Sequence, residues 1–157
     1  MSKVETRDVD YSRVQMTEIV LPEDTNTHGS VFGGRVLALI DKCAAAVAIR
    51  HARSGVLTLR LDSVEFRNPV HLGDILLLSG WVNAAFGSSM EIQVEVYSEE
   101  PTTGQKRLTT NAYVTMVGVG REGRPQKVPG LEFRSDEERQ RAEEAAVRRE
   151  RRLSTPR

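Results

Sequence analysis

Between Val31 and Ala52 the chain contains no proline, and at about 100° per residue Phe32, Val36, Leu39, Ile40, Cys43 and Val47 fall on one face. This spacing predicts one long central helix. A second stripe, rotated by more than a quarter turn, carries Gly34, Asp41, Ala44, Ala45 and Ala48, small enough to let another backbone or subunit approach closely. Arg35 and Lys42 fall on the remaining, wet face. Upstream, Val14 to Val20 alternates weakly and predicts a first strand. Leu21 to Ser30, with Pro22, Asp24, Thr25, Asn26, Thr27 and Gly29, is an ordered loop whose side chains bond their own backbone.

After Gly55 the period becomes two. Leu57, Leu59 and Leu61 share a face, but Val64 and Phe66 take the opposite parity, which a bulge near Asp62 and Ser63 reconciles. Ile75 to Ala85, with Trp81, reads as a buried strand. Met90, Ile92, Val94 and Val96 then alternate with Glu91, Gln93, Glu95 and Tyr97 as a half-buried one. Leu108, Thr110, Ala112, Val114 and Met116 share one parity of the last strand. Ser135 and Glu138 form a capping box that opens a charged helix to about Leu153, read as solvated because it has little apolar surface to bury. The pattern predicts an α+β domain, one antiparallel sheet wrapped around one helix. Its expected limits are residues 11–134, with a loose polar segment at 1–10 and a charged helical tail at 135–157.

Composition narrows the function classes. Among 157 residues, 22 Lys and Arg balance 22 Asp and Glu, which gives no general attraction to nucleic acid or an anionic membrane. The single cysteine, Cys43, cannot form an internal disulfide and reads as a buried hydrophobe. Residues 1–10 carry no secretion signal, and no run approaches the roughly 18 apolar residues of a membrane span. A cytoplasmic location is expected.

Common catalytic engines are missing from the sequence: there is no Gly-x-Ser-x-Gly elbow, no phosphate-cradling loop ending in Lys-Ser/Thr, and no paired His or Cys metal spacing. The histidines, His28, His51 and His71, are scattered. Asp41 is the residue that periodicity does not explain, since mid-helix among Ala and Leu it has poor helix propensity and a carboxylate to satisfy. Lys42 lies about 100° away round the helix and is no natural partner. Gly33 and Gly34 open the same helix, where free amides form an acceptor site for a carbonyl oxygen or an anion. Asn26 lies a few residues upstream and can both donate and accept.

The stretch from Pro22 through Asn26, His28 and Gly29 to Phe32-Gly33-Gly34, followed by Asp41-Lys42 and an alanine run, resembles the signature of hotdog-fold acyl-CoA thioesterases of the cytosolic acyl-CoA hydrolase type. The likeness continues through Val64-Glu65-Phe66, Pro69-Val70, Gly73-Asp74, Gly87 to Glu91 and Gly123-Arg124-Pro125, in order. It implies hydrolysis of an acyl-CoA to a free fatty acid and CoA, with Asp41 as general base or nucleophile, Gly33 and Gly34 amides on the oxyanion, and Asn26 orienting water or carbonyl. It also implies dimers that share their active sites, Asp41 facing Asn26 of a second chain, and trimers of dimers. No cofactor or metal is expected, CoA being part of substrate and product. Gly87, Ser88 and Ser89 are the expected groove for pantetheine, and Arg124 and Lys127 the expected phosphate partners. Two other readings follow from the same fold: a non-catalytic acyl-CoA sensor, which would want a DNA-binding helix pair, and an acyl-thioester hydratase or dehydratase, which would use a histidine such as His28.

Overall fold

The computed structural model describes residues 5–156. In chain order its elements are β1 (Thr6–Asp8), α1 (Val9–Ser12), β2 (Val14–Ile19), a 3₁₀ turn at Pro22–Asp24, α2 (Gly33–Ala52), β3 (Gly55–Phe66), β4 (Ile75–Phe86), β5 (Ser89–Glu99), β6 (Lys106–Val119), β7 (Gly130–Glu132) and α3 (Asp136–Ser154). Five strands pair antiparallel in the order β2-β4-β5-β6-β3, and β1 pairs with β7 in parallel apart from them. This is the α+β architecture that the hydrophobic pattern predicts, with α2 as its central helix.

Parity decides which side chains meet α2. Leu76 and Leu78 of β4, Met90, Ile92, Val94 and Val96 of β5, and Ala112, Val114 and Met116 of β6 enclose Val36, Leu39, Ile40, Cys43 and Val47 in one core. Each large aliphatic side chain so buried contributes about 1.5–3 kcal/mol. Gly80 lets the helix seat on the sheet, since a Cβ there would meet Cys43 Sγ at 2.9 Å and Val47 Cγ2 at 3.0 Å. Burial pushes the Cys43 thiol up to about 11, so it stays a neutral hydrophobe. The small-residue stripe divides: Ala44 and Ala48 are buried against the chain's own sheet, while Gly34 is exposed and Asp41 and Ala45 lie half-buried between.

The expected bulge falls at Asp62 to Glu65, with Ser63 at φ 48°, and a second irregularity separates Thr58 from Arg60. That second irregularity splits the expected face: Leu57 and Leu59 point outward, 59% and 67% exposed, while Leu61 packs against the core. β3 is an edge of the sheet.

Both flanking segments differ from expectation. Residues 1–4 lie outside the described residues, but Thr6–Asp8 is a strand and Val9 is buried. Arg7 secures this segment, donating to the carbonyls of Arg50 at 3.1 Å and His51 at 3.0 Å and so capping the last turn of α2. The tail helix α3 is not a solvated rod. Ala145 is fully buried, and Arg148 grips the buried carboxylate of Glu91 at 2.6 Å while stacking 3.8 Å over the Tyr113 ring. Arg141 covers Trp81 at 4.8 Å, Arg149 covers Phe86 at 4.9 Å, and Arg152 reaches Asp62 at 3.2 Å. Arginine stems and aromatic faces thus replace the aliphatic contacts that an amphipathic helix would use. At its start Ser135 accepts from the Glu138 amide, but the Glu138 carboxylate bonds the Arg134 amide, one residue before the position a full capping box requires.

Candidate functional site

Asn26 sits in a loop that its own side chain organises. Its Oδ1 accepts from the amides of His28 at 2.8 Å and Ser30 at 3.2 Å. Asp24 fixes the loop's approach, pairing with Arg35 of α2 at 3.1 Å, and its carbonyl accepts from Phe32. Backbone bonds from Val31 to Val70 and from Leu72 to Gly29 tie the far side down. Among the described residues the side-chain amide nitrogen of Asn26 has no partner, which leaves it as a donor for something else.

The loop delivers the chain to the start of α2, where the Gly33 and Gly34 amides likewise have no acceptor among the described residues. Gly34 is exposed and a Cβ on it would meet nothing within 4 Å, so a ligand can approach the backbone. Beside Gly33 opens a cavity of about 370 Å³ lined by Ser30, Val31, Phe66, Val70 and Thr109. Free amides at the positive end of a 20-residue helix, next to an apolar recess, suit a carbonyl oxygen that becomes negative.

Asp41 lies seven positions along α2 from Gly34, about 10 Å further down the axis. Thr58 of β3 donates to its Oδ1 at 2.6 Å, which holds one carboxylate oxygen and leaves the other open. Lys42 makes no bond to it. Among the described residues no hydrogen bond joins Asp41 to Asn26. Thr58 was not singled out among the sequence candidates, although it is the polar position between Leu57 and Leu59; a partner 17 residues away becomes visible only when β3 is laid on α2.

Gly87, at φ 72°, turns the chain from β4 into β5, and its carbonyl and that of Ser88 accept from Val128 and Gly118. Ser88 and Ser89 line a cavity of about 510 Å³ together with Leu57, Thr115, Val117 and Leu153. Arg124 and Lys127 stand exposed outside its lining, Arg124 beside Glu122 at 3.5 Å, and the cations that do line it are Arg149 and Arg152 of α3. His28 is exposed and contributes only its backbone amide to Asn26. His51 is buried with Nε2 2.7 Å from the Pro129 carbonyl, and burial lowers its pKa. Among the described residues no cluster of His, Cys, Asp or Glu is arranged to hold a metal ion, and no helix is long and apolar enough to cross a membrane.

Known proteins resemble this chain in sequence and fold. Residues 28–105 match the Thioesterase superfamily. Over 138 residues the chain is 36% identical to an uncharacterized acyl-CoA thioester hydrolase of Bacillus subtilis, covering 88% of this chain and 80% of that protein. It is 33% identical over 146 residues to the mouse cytosolic acyl coenzyme A thioester hydrolase, covering 92% of this chain but only 38% of that longer protein. A solved apo-hexameric acyl-CoA thioesterase superposes with a TM-score of 0.92 at 41% identity, covering 98% of this chain and 100% of the other. An acyl-CoA hydrolase of Staphylococcus aureus, solved with butyryl-CoA, CoA and CoA disulfide, gives 0.88 at 36% identity, covering 95% and 91%. Three further structures of that hydrolase carry alanine in place of an asparagine, an aspartate and a threonine. The aspartate follows the asparagine by fifteen positions and the threonine follows the aspartate by seventeen, the spacings of Asn26, Asp41 and Thr58 in this chain.

Proposed function

The chain belongs to the thioesterase superfamily, among the acyl-CoA thioester hydrolases, and from that premise we propose that it hydrolyses acyl-CoA at a site assembled from two copies of itself. The observation that carries the assignment is Asp41, a carboxylate mid-helix with one oxygen held by Thr58 and the other open, on a helix whose first amides are free. Asn26 and the amides of Gly33 and Gly34 stand at one end of α2, about two turns from Asp41 of the same copy. A second copy supplies Asp41 to them. The exposed edge strand β3, with Leu57, Leu59 and Phe66 uncovered, supports pairing through that edge, and relatives solved as hexamers support three such pairs per particle.

In this reading the thioester carbonyl takes its place against the two glycine amides, and the side-chain amide of Asn26 orients the attacking water. Asp41 removes a proton from that water as it adds to the carbonyl carbon. The oxyanion, held by the amides and the helix dipole, collapses, the C–S bond breaks, and the departing CoA thiolate takes up the proton held by Asp41, leaving free CoA and a fatty acid. The turn at Gly87, Ser88 and Ser89 receives the pantetheine arm. No cofactor takes part, and the name of the mouse relative supports action in the cytoplasm.

Free-thiol release from a series of acyl-CoAs tests the assignment. The Asp41→Asn variant should lose about 10²–10⁴-fold in kcat with KM largely kept. A wild type that releases no thiol from any chain length, or a variant with full turnover, would overturn it.

A further inference from the structure

A thioester seated on the Gly33 and Gly34 amides sends two arms away from its carbonyl carbon, and the fold offers two cavities to take them. The larger, of about 510 Å³, has in its lining Thr58, the residue that holds Asp41, together with Ser88 and Ser89. Neither glycine borders it. The smaller, of about 370 Å³, has Gly33 in its own wall and so begins at an amide that receives the carbonyl oxygen. Asp41 and Gly34 of one copy lie about 10 Å apart along α2, so in a site made from two copies the cavities that meet at one thioester come from different chains. The sulfur arm follows Asp41 and Thr58 into one copy. The acyl arm is left with the recess of the other.

The recess has the chemistry for a hydrocarbon. Val31, Phe66, Pro69 and Val70 give it apolar walls, its lining holds no carboxylate, and its one cation, Arg67, is exposed. The Asn68 side-chain amide is already spent, donating through Nδ2 to the Leu108 carbonyl at 2.8 Å. The Val31 amide bonds the Val70 carbonyl at 2.8 Å, which fixes the two valine walls before any ligand arrives. Phe66 closes the helix end: a Cβ built on Gly33 would touch its Cζ at 3.4 Å, and the residue is 50% exposed. Apolar surface left open beside a carbonyl-binding amide gains by being covered with an alkyl chain.

We propose that the recess beside Gly33 is the acyl-chain site, that it takes a saturated, unbranched chain of up to about twelve carbons, and that Val31, Val70 and Thr109 set that length. A methylene occupies about the volume of a water, on the order of 30 Å³, so the recess holds roughly twelve of them. Carbons beyond that number lie in solvent and add nothing to binding. The inference rests on the hydrolytic reading for its carbonyl anchor.

Phe66 also borders the β3 edge, so the test is placed on the inner walls. Thr109 is 1% exposed and its hydroxyl has no partner among the described residues, so Thr109→Ile narrows the recess without breaking a bond. Val70→Ala widens it. Calorimetric titration of the full chain with saturated fatty acids from hexanoate to hexadecanoate, whose carboxylate stands in for the thioester carbonyl, should show affinity rising about two- to fourfold per methylene and levelling near dodecanoate. Thr109→Ile should move that break about one or two carbons shorter and Val70→Ala about as far the other way, with hexanoate binding kept. Specificity constants for acyl-CoAs of the same lengths, measured by thiol release, should break at the same places. Thr115→Ile, the same exchange at a buried threonine of the larger cavity, should leave the break where it is. The proposal is overturned if wild type binds no fatty acid or binds all lengths alike, if neither wall variant moves the break, or if Thr115→Ile moves it. The hydrolytic reading fails separately: release of no thiol from any acyl-CoA sinks it, while a fatty-acid break that still follows Thr109 and Val70 upholds the recess.

Discussion

The Thr58 hydroxyl donates to Asp41 at 2.6 Å, and a hydrogen bond to a charged group contributes about 1.5–3 kcal/mol. Thr58→Val keeps the shape and removes the donor. Turnover should fall roughly 10- to 100-fold with KM little changed, measured by thiol release; an unaltered kcat would show that the bond does not orient Asp41. His51 gives a different residue-level consequence. Its ring is buried and neutral, Nδ1 having no partner, and its pKa lies below the ordinary 6.5 chiefly because burial disfavours the charged form. As pH falls below 6.5 the unfolded chain takes up a proton that the fold resists, so stability is lost there and is fully present above. Urea midpoints should drop between about pH 7.5 and about pH 5.5, and His51→Gln should flatten that dependence. Asp41 was legible in the sequence because it breaks a stripe of small residues. Thr58 was not, since its meaning lies in the register between a strand and a helix.

At the scale of elements, periodicity located β2, β3, β5, β6 and α2, and a continuous apolar run located β4, because each packs against a shared core. The docking of α3 left no such mark. Its contacts join arginines to Tyr113, Trp81, Phe86 and Glu91, residues on three separate strands that share no period along the helix. Glu91 is only 2% exposed, so removing its partner strands a charge. Arg148→Met should cost about 3 kcal/mol in urea unfolding, and adding Glu91→Gln should restore part of it. A loss confined to the single mutant's solubility, with no change in midpoint, would argue that α3 is held by its other arginines. The N-terminal strand escaped the sequence for a related reason: three residues are too few to show a period.

For the whole molecule, the open question of assembly is concentrated on β3. Its Leu59, 67% exposed, stands on an unpaired edge, which proteins normally cover, charge or shorten. If the site is assembled from two copies as proposed, Leu59→Arg should shift the protein to a smaller particle in light scattering and abolish turnover together. A monomer with full activity would place the complete site within one chain. The sequence could suggest this arrangement by resemblance, but the exposed edge that supports it emerges only from the fold.

The parallel pairing of β1 with β7 also governs the order of events during synthesis. Thr6 has its partner in Gly130, so β1 leaves the ribosome well before the strand it pairs with. At about 5–20 residues per second that interval is on the order of ten seconds. Until then Arg7 has no fixed platform from which to close the end of α2, and the nascent chain carries its longest helix with an unfinished last turn.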